Sequence, residues 1–494
     1  MREHLPALVV VVPVLTAFAV FALGWLKPRI CFWVGLCGLG LTALACLWLL
    51  GRVLQQGTVS YEMGGWPPPW GIAYLVDPLN GVVLAAVSLA ALLQWVATRP
   101  IVARDFPDRV GSIYGLKMLF LTGLLGIVVT GDAFNLYVLL EIASITAYAL
   151  IAMGGDRAPL SSLNYVFMGT VGACFYLLGV GYLYIMTGSL NMADMASLLS
   201  GLSSSKALLV AFVIMMVGLW LKMAFFPLHG WLPNAYTHAP SSVTSLVAPL
   251  MTKVMAYVMI RVVLSLFGPL YTFGTLGLSR EVVWLASMAA VAGAIMALAQ
   301  KDLKRTLTYV ILIEVAYMVG GLWLGNREGI TGAILHLVND VFMTLCVFLA
   351  VGNLLFRMPG CSEVHLKGAF ARMPFTMGAL VAGGLSIIGV PPTAGFFSKW
   401  YLLLGALKAG HWGFLVALIL SSFASLAIFF RAFEWAYFSS SQRGHGHQEK
   451  QAFQEAPAQM VVPLVVVAAI IVALGILSGE IVSGIIAPVI PKGI

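Results

Sequence analysis

Long apolar runs follow one another along almost the whole chain, separated by short polar, glycine- and proline-containing connections. A helix needs about 20 mostly apolar residues to cross a bilayer, and most of the runs are close to that length. They predict about fourteen spans, near residues 5–26, 30–50, 78–98, 113–130, 133–153, 162–187, 207–227, 241–266, 281–300, 306–325, 329–356, 375–405, 411–437 and 460–488. The pattern therefore predicts an all-α, polytopic membrane protein.

Proline interrupts two of these runs beside a lysine. The run at 207–227 contains Lys222 and ends at Pro227, and the run at 375–405 contains a Gly-Val-Pro-Pro-Thr segment at 389–393, followed by Lys399. Proline removes a backbone hydrogen bond that lipid cannot replace. We therefore predict broken helices packed inside a bundle, although Lys222 taken alone is also compatible with a lysine that reaches to the membrane surface.

Composition excludes several other classes of protein. The chain is 61% hydrophobic and 9% charged, against about 25% charged residues in soluble domains, and a soluble fold of this composition would aggregate. The six cysteines form no CxxC pair and lie mostly in apolar runs, which argues against iron–sulfur, zinc and disulfide sites. His445 and His447 are metal-ligand types, but we interpret their polar segment, 439–458, as a solvated loop. We predict no cofactor and no bound metal.

The distribution of basic residues predicts the orientation. Loops after odd-numbered spans carry twice as many lysines and arginines as the even-numbered loops and the two ends together. Because basic loops stay in the cytoplasm, the odd loops are predicted to be cytoplasmic and both termini outside the cell membrane. We attribute the net charge of +8 to basic loops that set the orientation in the membrane, rather than to binding of nucleic acid. The first run has no cleavage site and is expected to be a retained helix rather than a signal peptide.

Ionisable residues within the predicted spans are the candidate chemistry. Tyr137, Ser144 and Tyr148 share a helix face with Glu141. His336, Asp340 and Thr344 form an i, i+4, i+8 stripe, which predicts a coupled His336–Asp340 pair. The charged or titratable candidates in the spans are Glu141, Lys222, Lys253, Glu314, His336, Asp340 and Lys399. One such residue is tolerable beside a backbone carbonyl, but each unpaired charge costs roughly 2.5–3.5 kcal/mol. Together they favour a connected, hydrated polar axis.

The glutamates and lysines also recur at a similar interval. Glu141 precedes Lys222 by 81 residues (222 − 141), and Glu314 precedes Lys399 by 85 (399 − 314). The two sets lie five spans apart, so the second copy would cross the membrane in the opposite sense, as in inverted repeats. We predict N-terminal helices at 1–112, repeats at 113–266 (spans 4–8) and 281–437 (spans 9–13), and a C-terminal part at 438–494. Coincidence is the alternative.

Four segments resemble a known family: TGDAFNLYVLLEI, KMAFFPLHGWLPNAYTHAPSSV, ALAQKDLKRTLTYV and GVPPTAGFFSKWYLL. They are similar to the antiporter-like, proton-translocating membrane subunits of NADH:quinone oxidoreductase (complex I), membrane-bound hydrogenases and Mrp-type sodium/proton antiporters. The GGWPPPWGI and VDPLNG segments look most like the D-type branch of the Mrp antiporter subunits. The resemblance implies a proton-translocating subunit of a multisubunit Na⁺/H⁺ antiporter, with other membrane subunits, protons and Na⁺ as partners.

The resemblance also implies residue roles. Glu141 and Lys222 correspond to the family's essential ion pair, Lys253 to its central relay and Lys399 to its exit-side group. His229 and His238 would lie on the cytoplasmic access route. The sequence departs from the family pattern at Glu314, Asp340 and Thr344, so carboxylates are expected to replace basic relays in the central path. Na⁺ prefers oxygen ligands, which makes Asp340 and Glu314 the candidate cation contacts.

Three alternatives remain open at this point. In the first alternative, the chain is a proton-pumping membrane subunit of a complex I-like oxidoreductase or a membrane-bound hydrogenase, and its assembly is a translocase. In the second, it is a redox subunit that binds quinone directly, which would require a lipid-side cleft. In the third, it is a structural scaffold, which leaves the charges within the spans unexplained. As an antiporter subunit or under the first alternative, the chain itself is a transport subunit without its own redox centre.

Overall fold

The computed structural model describes residues 4–437 and 454–491, and most of them are helical. The predicted loop histidines His445 and His447 lie outside the described residues. Within the described ranges, twelve helices are long and apolar enough to cross a membrane by length and composition. They are α1 (Leu5–Leu26), α2 (Pro28–Gln56), α3 (Pro78–Ala97), α5 (Val110–Val129), α6 (Ala133–Ala152), α7 (Ala158–Thr187), α11 (Ser241–Arg261), α12 (Ser279–Leu298), α13 (Leu303–Trp323), α14 (Arg327–Arg357), α19 (Trp412–Tyr437) and α20 (Ala458–Ile476).

The all-α, polytopic class is confirmed, and the two remaining predicted spans correspond to shorter, interrupted helices. The first consists of α9 (Lys206–Lys222) and the turn after it, and the second of α17 (Pro374–Ile388) followed by α18 (Ala394–Lys408). Gly389 ends α17 with φ of 93°, a left-handed conformation that glycine adopts without steric cost. The predicted end of the first span was wrong by five residues: α9 stops at Lys222 rather than near Pro227.

Short elements connect the spans. The proline-rich segment after α2 carries an antiparallel hairpin of β1 (Val59–Glu62) and β2 (Ala73–Val76), in which Val59 pairs with Val76. Its valine and tyrosine residues suit a strand. The short helices are α4 (Arg99–Asp105), α8 (Met192–Leu199), α10 (Leu232–His238), α15 (Glu363–Leu366), α16 (Ala369–Arg372) and α21 (Ser478–Ile481). Single π-helical segments occupy 262–266, 270–275 and 482–486.

Burial divides the helices into a centre and a periphery. The most apolar 18-residue stretches of α11, α13 and α14 are 94%, 94% and 100% buried, whereas those of α1, α7, α19 and α20 are 33–39% buried. The 31-residue α14 is about 45 Å long at 1.5 Å per residue. Charged side chains on α11, α13 and α14 are therefore held away from lipid, while the peripheral helices present apolar surface to lipid or to partner subunits.

Contacts between loops define two faces of the bundle. On the hairpin face, His4 Nδ1 lies 3.0 Å from the Tyr61 hydroxyl, and Asp132 pairs with Asn191 in a β-bridge. On the odd-loop face, Lys304 Nζ donates to the carbonyl of Ala239 at 2.5 Å. Both ends of the described chain reach the hairpin face, because Pro491 lines a cavity there beside the start of α3.

Candidate functional site

Glu141 on α6 and Lys222 at the end of α9 form the first buried ion pair. Lys222 Nζ lies 3.4 Å from Glu141 Oε1 and donates a hydrogen bond of 2.8 Å to Ser144 Oγ, one turn further along α6. The lysine is fully buried, whereas 23% of the glutamate side chain is exposed. The predicted stripe on α6 therefore places two alternative partners around one ammonium, of which only the carboxylate reaches a more exposed environment.

Close helix packing and an aromatic stack hold Lys222 in this position. A Cβ at Gly218 would lie 2.6 Å from the carbonyl oxygen of Gly172, so only glycine lets α7 and α9 approach this closely. The Trp231 ring stacks on Tyr165 with centroids 3.8 Å apart, and its Nε1 donates to the Leu221 carbonyl at 3.0 Å. That carbonyl lies in the last turn of α9 and also accepts from the backbone N–H of Ala224 at 3.2 Å. The turn after α9 is thus anchored at the lysine.

Lys253 on α11 and Asp340 on α14 form a second pair in the centre. Lys253 Nζ lies 3.0 Å from Asp340 Oδ2, and the two side chains are 1% and 0% exposed. Thr344 Oγ1 donates to Asp340 Oδ1 at 2.7 Å and accepts from Lys253 Nζ at 3.0 Å. Lys253 also donates to the Ala248 carbonyl at 3.3 Å. The three side chains thus form a closed polar cluster between two helices.

Glu314 on α13 and His336 on α14 form the third pair. His336 Nε2 lies 2.6 Å from Glu314 Oε2, with both side chains at most 1% exposed, and Nδ1 lies 2.9 Å from Ser398 Oγ on α18. His336 and Asp340 thus each contact a different partner, and the predicted coupling of their titrations stays a prediction. Side chains four residues apart lie about 40° apart around a helix (400° − 360°, at 3.6 residues per turn). Here His336 meets α13 and α18, whereas Asp340 meets α11.

Lys399 lies where the second broken span is interrupted. Its Nζ donates to the Ile387 carbonyl at 2.6 Å and to Ser422 Oγ at 3.2 Å, and it lies 4.9 Å from the centre of the Tyr317 ring. The Ile387 carbonyl is free because α17 ends there. The second half of the chain therefore does not repeat the Glu141–Lys222 contact, since Glu314 contacts His336 instead of Lys399.

His229 and His238 lie at the odd-loop face, apart from the three ion pairs. His238 Nδ1 is 2.9 Å from Ser161 Oγ, and His229 stacks on Phe226 with ring centroids 5.3 Å apart. Burial lowers the pKa of His229, and burial together with the nearby Arg305 lowers the pKa of His238. Both imidazoles are therefore favoured in the neutral form, which can both donate and accept a proton.

The structure adds Lys117, a buried residue that the sequence analysis missed. Lys117 on α5 is 0% exposed and donates to Thr98 Oγ1 at 2.9 Å and to Gln94 Oε1 at 3.3 Å. Gln94 Nε2 in turn donates to Ser245 Oγ on α11 at 3.1 Å. A lysine inside the run at 113–130 was the available signal, but its place near the start of the run is typical of a surface lysine.

A second addition is a charged contact at the hairpin face. Arg261 Nη2, at the end of α11, lies 2.5 Å from Asp77 Oδ1. Arg261 Nε donates to the Tyr257 hydroxyl at 3.0 Å, and that hydroxyl donates to the Val128 carbonyl at 3.0 Å. Asp77 precedes α3 and caps it, accepting from the backbone of Asn80. The sequence places Tyr257 and Arg261 on one face of a helix with Lys253, but it gives no sign that Asp77 meets them.

Comparison with known proteins identifies the class to which this bundle belongs. Residues 130–425 match the family described as "NADH:quinone oxidoreductase/Mrp antiporter, TM", and this range includes the three ion pairs and Lys399. The chain therefore belongs to that family of membrane transport subunits, and the resemblance stated from its motifs is confirmed.

Individual relatives cover most of the chain. It is 42% identical to the N-type subunit of NADH-quinone oxidoreductase from Desulforudis audaxviator (strain MP104C), over 99% of both chains. It is 30% identical to the D-type subunit of the Na⁺/H⁺ antiporter from Bacillus subtilis (strain 168), over 78% of both. Among solved structures, a chain of the membrane-bound sulfane sulfur reductase, an archaeal respiratory membrane complex, matches with a TM-score of 0.89 and 26% identity, over 98% of this chain and 96% of that one. These relatives are subunits of larger membrane assemblies, and other membrane subunits are partners of this chain.

Proposed function

We propose that the chain translocates protons across the membrane as a subunit of a multisubunit monovalent cation (Na⁺)/H⁺ antiporter. The observation that carries the proposal is the series of buried contacts inside the bundle, two between a carboxylate and a lysine, Glu141–Lys222 and Asp340–Lys253, and one between a carboxylate and a histidine, Glu314–His336, with Lys399 beyond them. Charged groups at membrane depth are costly and mark ion pathways. A scaffold would gain no stability from three such pairs over apolar packing.

The geometry supports a stepwise mechanism in which each pair alters the next. Two unit charges 4 Å apart interact by about 4 kcal/mol at an effective dielectric constant of 20, so making or breaking one pair is enough to shift a proton. Glu141 is the most exposed member and the only one more than 20% exposed. When Glu141 moves away, Ser144 still holds Lys222, but the ammonium has lost its countercharge and gives up its proton more readily.

The further steps use the remaining candidates. A proton released by Lys222 passes towards Lys253, then through the Glu314–His336 pair to Lys399, with His229 and His238 on the access side. Glu314 and Asp340 carry the oxygen ligands that Na⁺ prefers, and they are the proposed cation contacts. The predicted repeats at 113–266 and 281–437 place the first pair in one half and the third pair in the other.

A second candidate function is favoured by the identity of 42% over 99% of the chain to the N-type subunit of an NADH-quinone oxidoreductase. On this alternative the same relay is driven by a redox module rather than by a cation gradient, and the assembly is a translocase. On both proposals the chain is the transport part. We further propose that it lies in the cell membrane with the hairpin face, and with it both termini, outside.

One experiment tests the proposal and separates the two candidates. The whole assembly is purified and placed in vesicles, and internal pH is followed after a Na⁺ pulse and, separately, after addition of NADH and a quinone. A Na⁺-driven pH change supports the antiporter, and an NADH-driven one supports the alternative. Glu141→Gln is expected to abolish whichever signal is present, while Glu434→Gln, at an exposed position near the end of α19, leaves it intact. Full activity of Glu141→Gln would show that the relay does not carry the transported proton.

A further inference from the structure

A cavity of about 450 Å³, whose mostly apolar wall carries several polar side chains, lies under the β-hairpin, and nothing in the relay described above uses it. Its lining includes Asp77, Thr130, Asn191, Tyr257, Arg261 and the hairpin residue Ser60. Ser60 is exposed, so the cavity opens at the hairpin face. A cavity of this size with several polar groups on its walls has room for many water molecules. Solvent therefore reaches the side chains at the end of α11.

The side chains on α11 lead from this cavity into the centre of the bundle. Lys253, Tyr257 and Arg261 follow one another at i, i+4 and i+8, about 6 Å per step along the helix. The exposed fraction falls steadily inwards, from 17% for Asp77 and 16% for Arg261 to 3% for Tyr257 and 1% for Lys253. A single helix face thus carries a graded polar line between solvent and the central ion pair.

Hydrogen bonds fix the positions of the Tyr257 and Arg261 side chains in this series. Arg261 Nε donates to the Tyr257 hydroxyl at 3.0 Å, and Arg261 Nη2 is 2.5 Å from Asp77 Oδ1. The Tyr257 hydroxyl donates to the Val128 carbonyl, which α5 leaves free near its end, at 3.0 Å. The phenol is therefore held at the inner wall of the cavity, one turn from Lys253.

We propose that the Lys253–Asp340 pair exchanges protons with the hairpin face through its own outlet, formed by Tyr257, the Arg261–Asp77 pair and the cavity. This inference rests on the proposed function, and it gives the Lys253–Asp340 pair an exit of its own beside the exit at Lys399. Because each pair alters the next, a block at either exit is expected to stop the transport cycle. In the net step, the Lys253 ammonium loses a proton and water in the cavity gains it. The Lys253 ammonium donates towards the Ala248 carbonyl, so a water molecule has to carry the proton from it to the Tyr257 hydroxyl. That hydroxyl accepts one proton and gives up another, so it ends unchanged.

Arg261 has a different role from the groups that carry the proton. A guanidinium stays protonated in proteins, so it cannot relay. It positions the Tyr257 hydroxyl, and its charge, balanced by Asp77, sets the potential at the inner end of the cavity. An added positive charge at this mouth should hinder the passage of protons, whereas an added negative charge should not. A purely structural role of these residues predicts no such dependence on the sign of the charge.

The test uses cysteine labelling in vesicles that contain the whole assembly. Ser265→Cys places a thiol at an exposed residue of the cavity wall, one turn beyond Arg261. The exposed native residues Cys37 and Cys174 are replaced by serine. The thiol is labelled with two methanethiosulfonates of similar size, one cationic (trimethylammonium-ethyl) and one anionic (sulfonatoethyl). Thr275→Cys, exposed on the same face but outside the cavity lining, is the matched control.

The cationic label on Ser265→Cys is expected to lower the initial transport rate at least fivefold and the anionic label less than twofold, with no effect of either on Thr275→Cys.

Tyr257→Phe is expected to slow transport at least tenfold, while Tyr271→Phe, a buried tyrosine outside the cavity lining, changes it less than twofold. Equal effects of the two labels, or a normal rate for Tyr257→Phe, overturn the outlet. If the outlet is overturned in this way but Glu141→Gln still stops transport in the same vesicles, the proposed function stands and only the outlet is rejected. If transport survives Glu141→Gln, both proposals fail.

Discussion

Lys253 on α11 and Asp340 on α14 meet 3.0 Å apart in the centre of the bundle, and neither side chain is more than 1% exposed. Removing one member of such a pair leaves an uncompensated buried charge, which costs about 3–5 kcal/mol, whereas removing both is often neutral. The pair therefore binds α11 to the central helix only as long as both charges are present. The same dependence makes the pair suitable for a proton relay, because a change in the charge of one member changes the proton affinity of the other.

The first prediction separates the relay role of this pair from its structural role. Asp340→Asn and Lys253→Met are each expected to stop transport and to lower the thermal midpoint of the assembly. The double variant is expected to be as stable as the wild type, because no charge is left unpaired, and still inactive. Transport rates and melting curves of the three variants check this. An Asp340→Asn variant that transports at the wild-type rate would show that the carboxylate only holds the helices together.

The second prediction concerns the two partners of Lys222. Ser144→Ala removes the 2.8 Å hydrogen bond to Nζ but leaves Glu141 in place. A hydrogen bond to a charged group contributes about 1.5–3 kcal/mol, so we expect the transport rate to fall roughly tenfold without reaching zero. Thr146→Ala on the same helix is the control, since this hydroxyl donates only to the backbone carbonyls of Ile142 and Ala143. Initial rates that do not differ between the two variants would contradict a role for Ser144.

The third prediction compares two lysines of α18. Lys399 is buried on the freed carbonyl of Ile387, whereas Lys408 is 60% exposed and pairs with Glu328 at the surface. Lys399→Met is expected to lower the initial transport rate at least tenfold, while immunoblots show normal insertion into the membrane. Lys408→Met removes a surface pair worth at most about 1 kcal/mol and should transport within twofold of the wild type. The proposed exit role of Lys399 fails if both variants behave alike.

The fourth prediction tests the orientation. Glu62→Cys on the hairpin and Lys367→Cys on the odd-loop face are both at exposed positions. In intact cells an impermeant maleimide should label the hairpin cysteine, and it should reach the other cysteine only after the membrane is permeabilised. The reverse pattern would place the termini inside and would reverse the direction assigned to transport.

Much of this architecture follows from the sequence because it depends on local properties. Apolar length predicts the membrane spans, and the glycine–proline segment at 389–393 predicts the second broken helix, since neither feature requires knowledge of a neighbour. The same holds for Glu141, Lys222, Lys253 and Lys399 as candidates, because any charge inside a span demands an explanation. Periodicity also places Ser144 correctly on the face of α6 that holds Glu141.

Only the tertiary structure decides which of these groups meet. Spacing along one helix fixes the angle between two side chains, but the rotation of that helix against its neighbours is set by packing over its whole length. For this reason Asp340 contacts Lys253 instead of His336, and Glu314 contacts His336 rather than Lys399. Lys117 and Asp77 escaped notice because a charge near the end of a span is ordinary in sequence. It becomes informative only when the surrounding helices are seen to bury it.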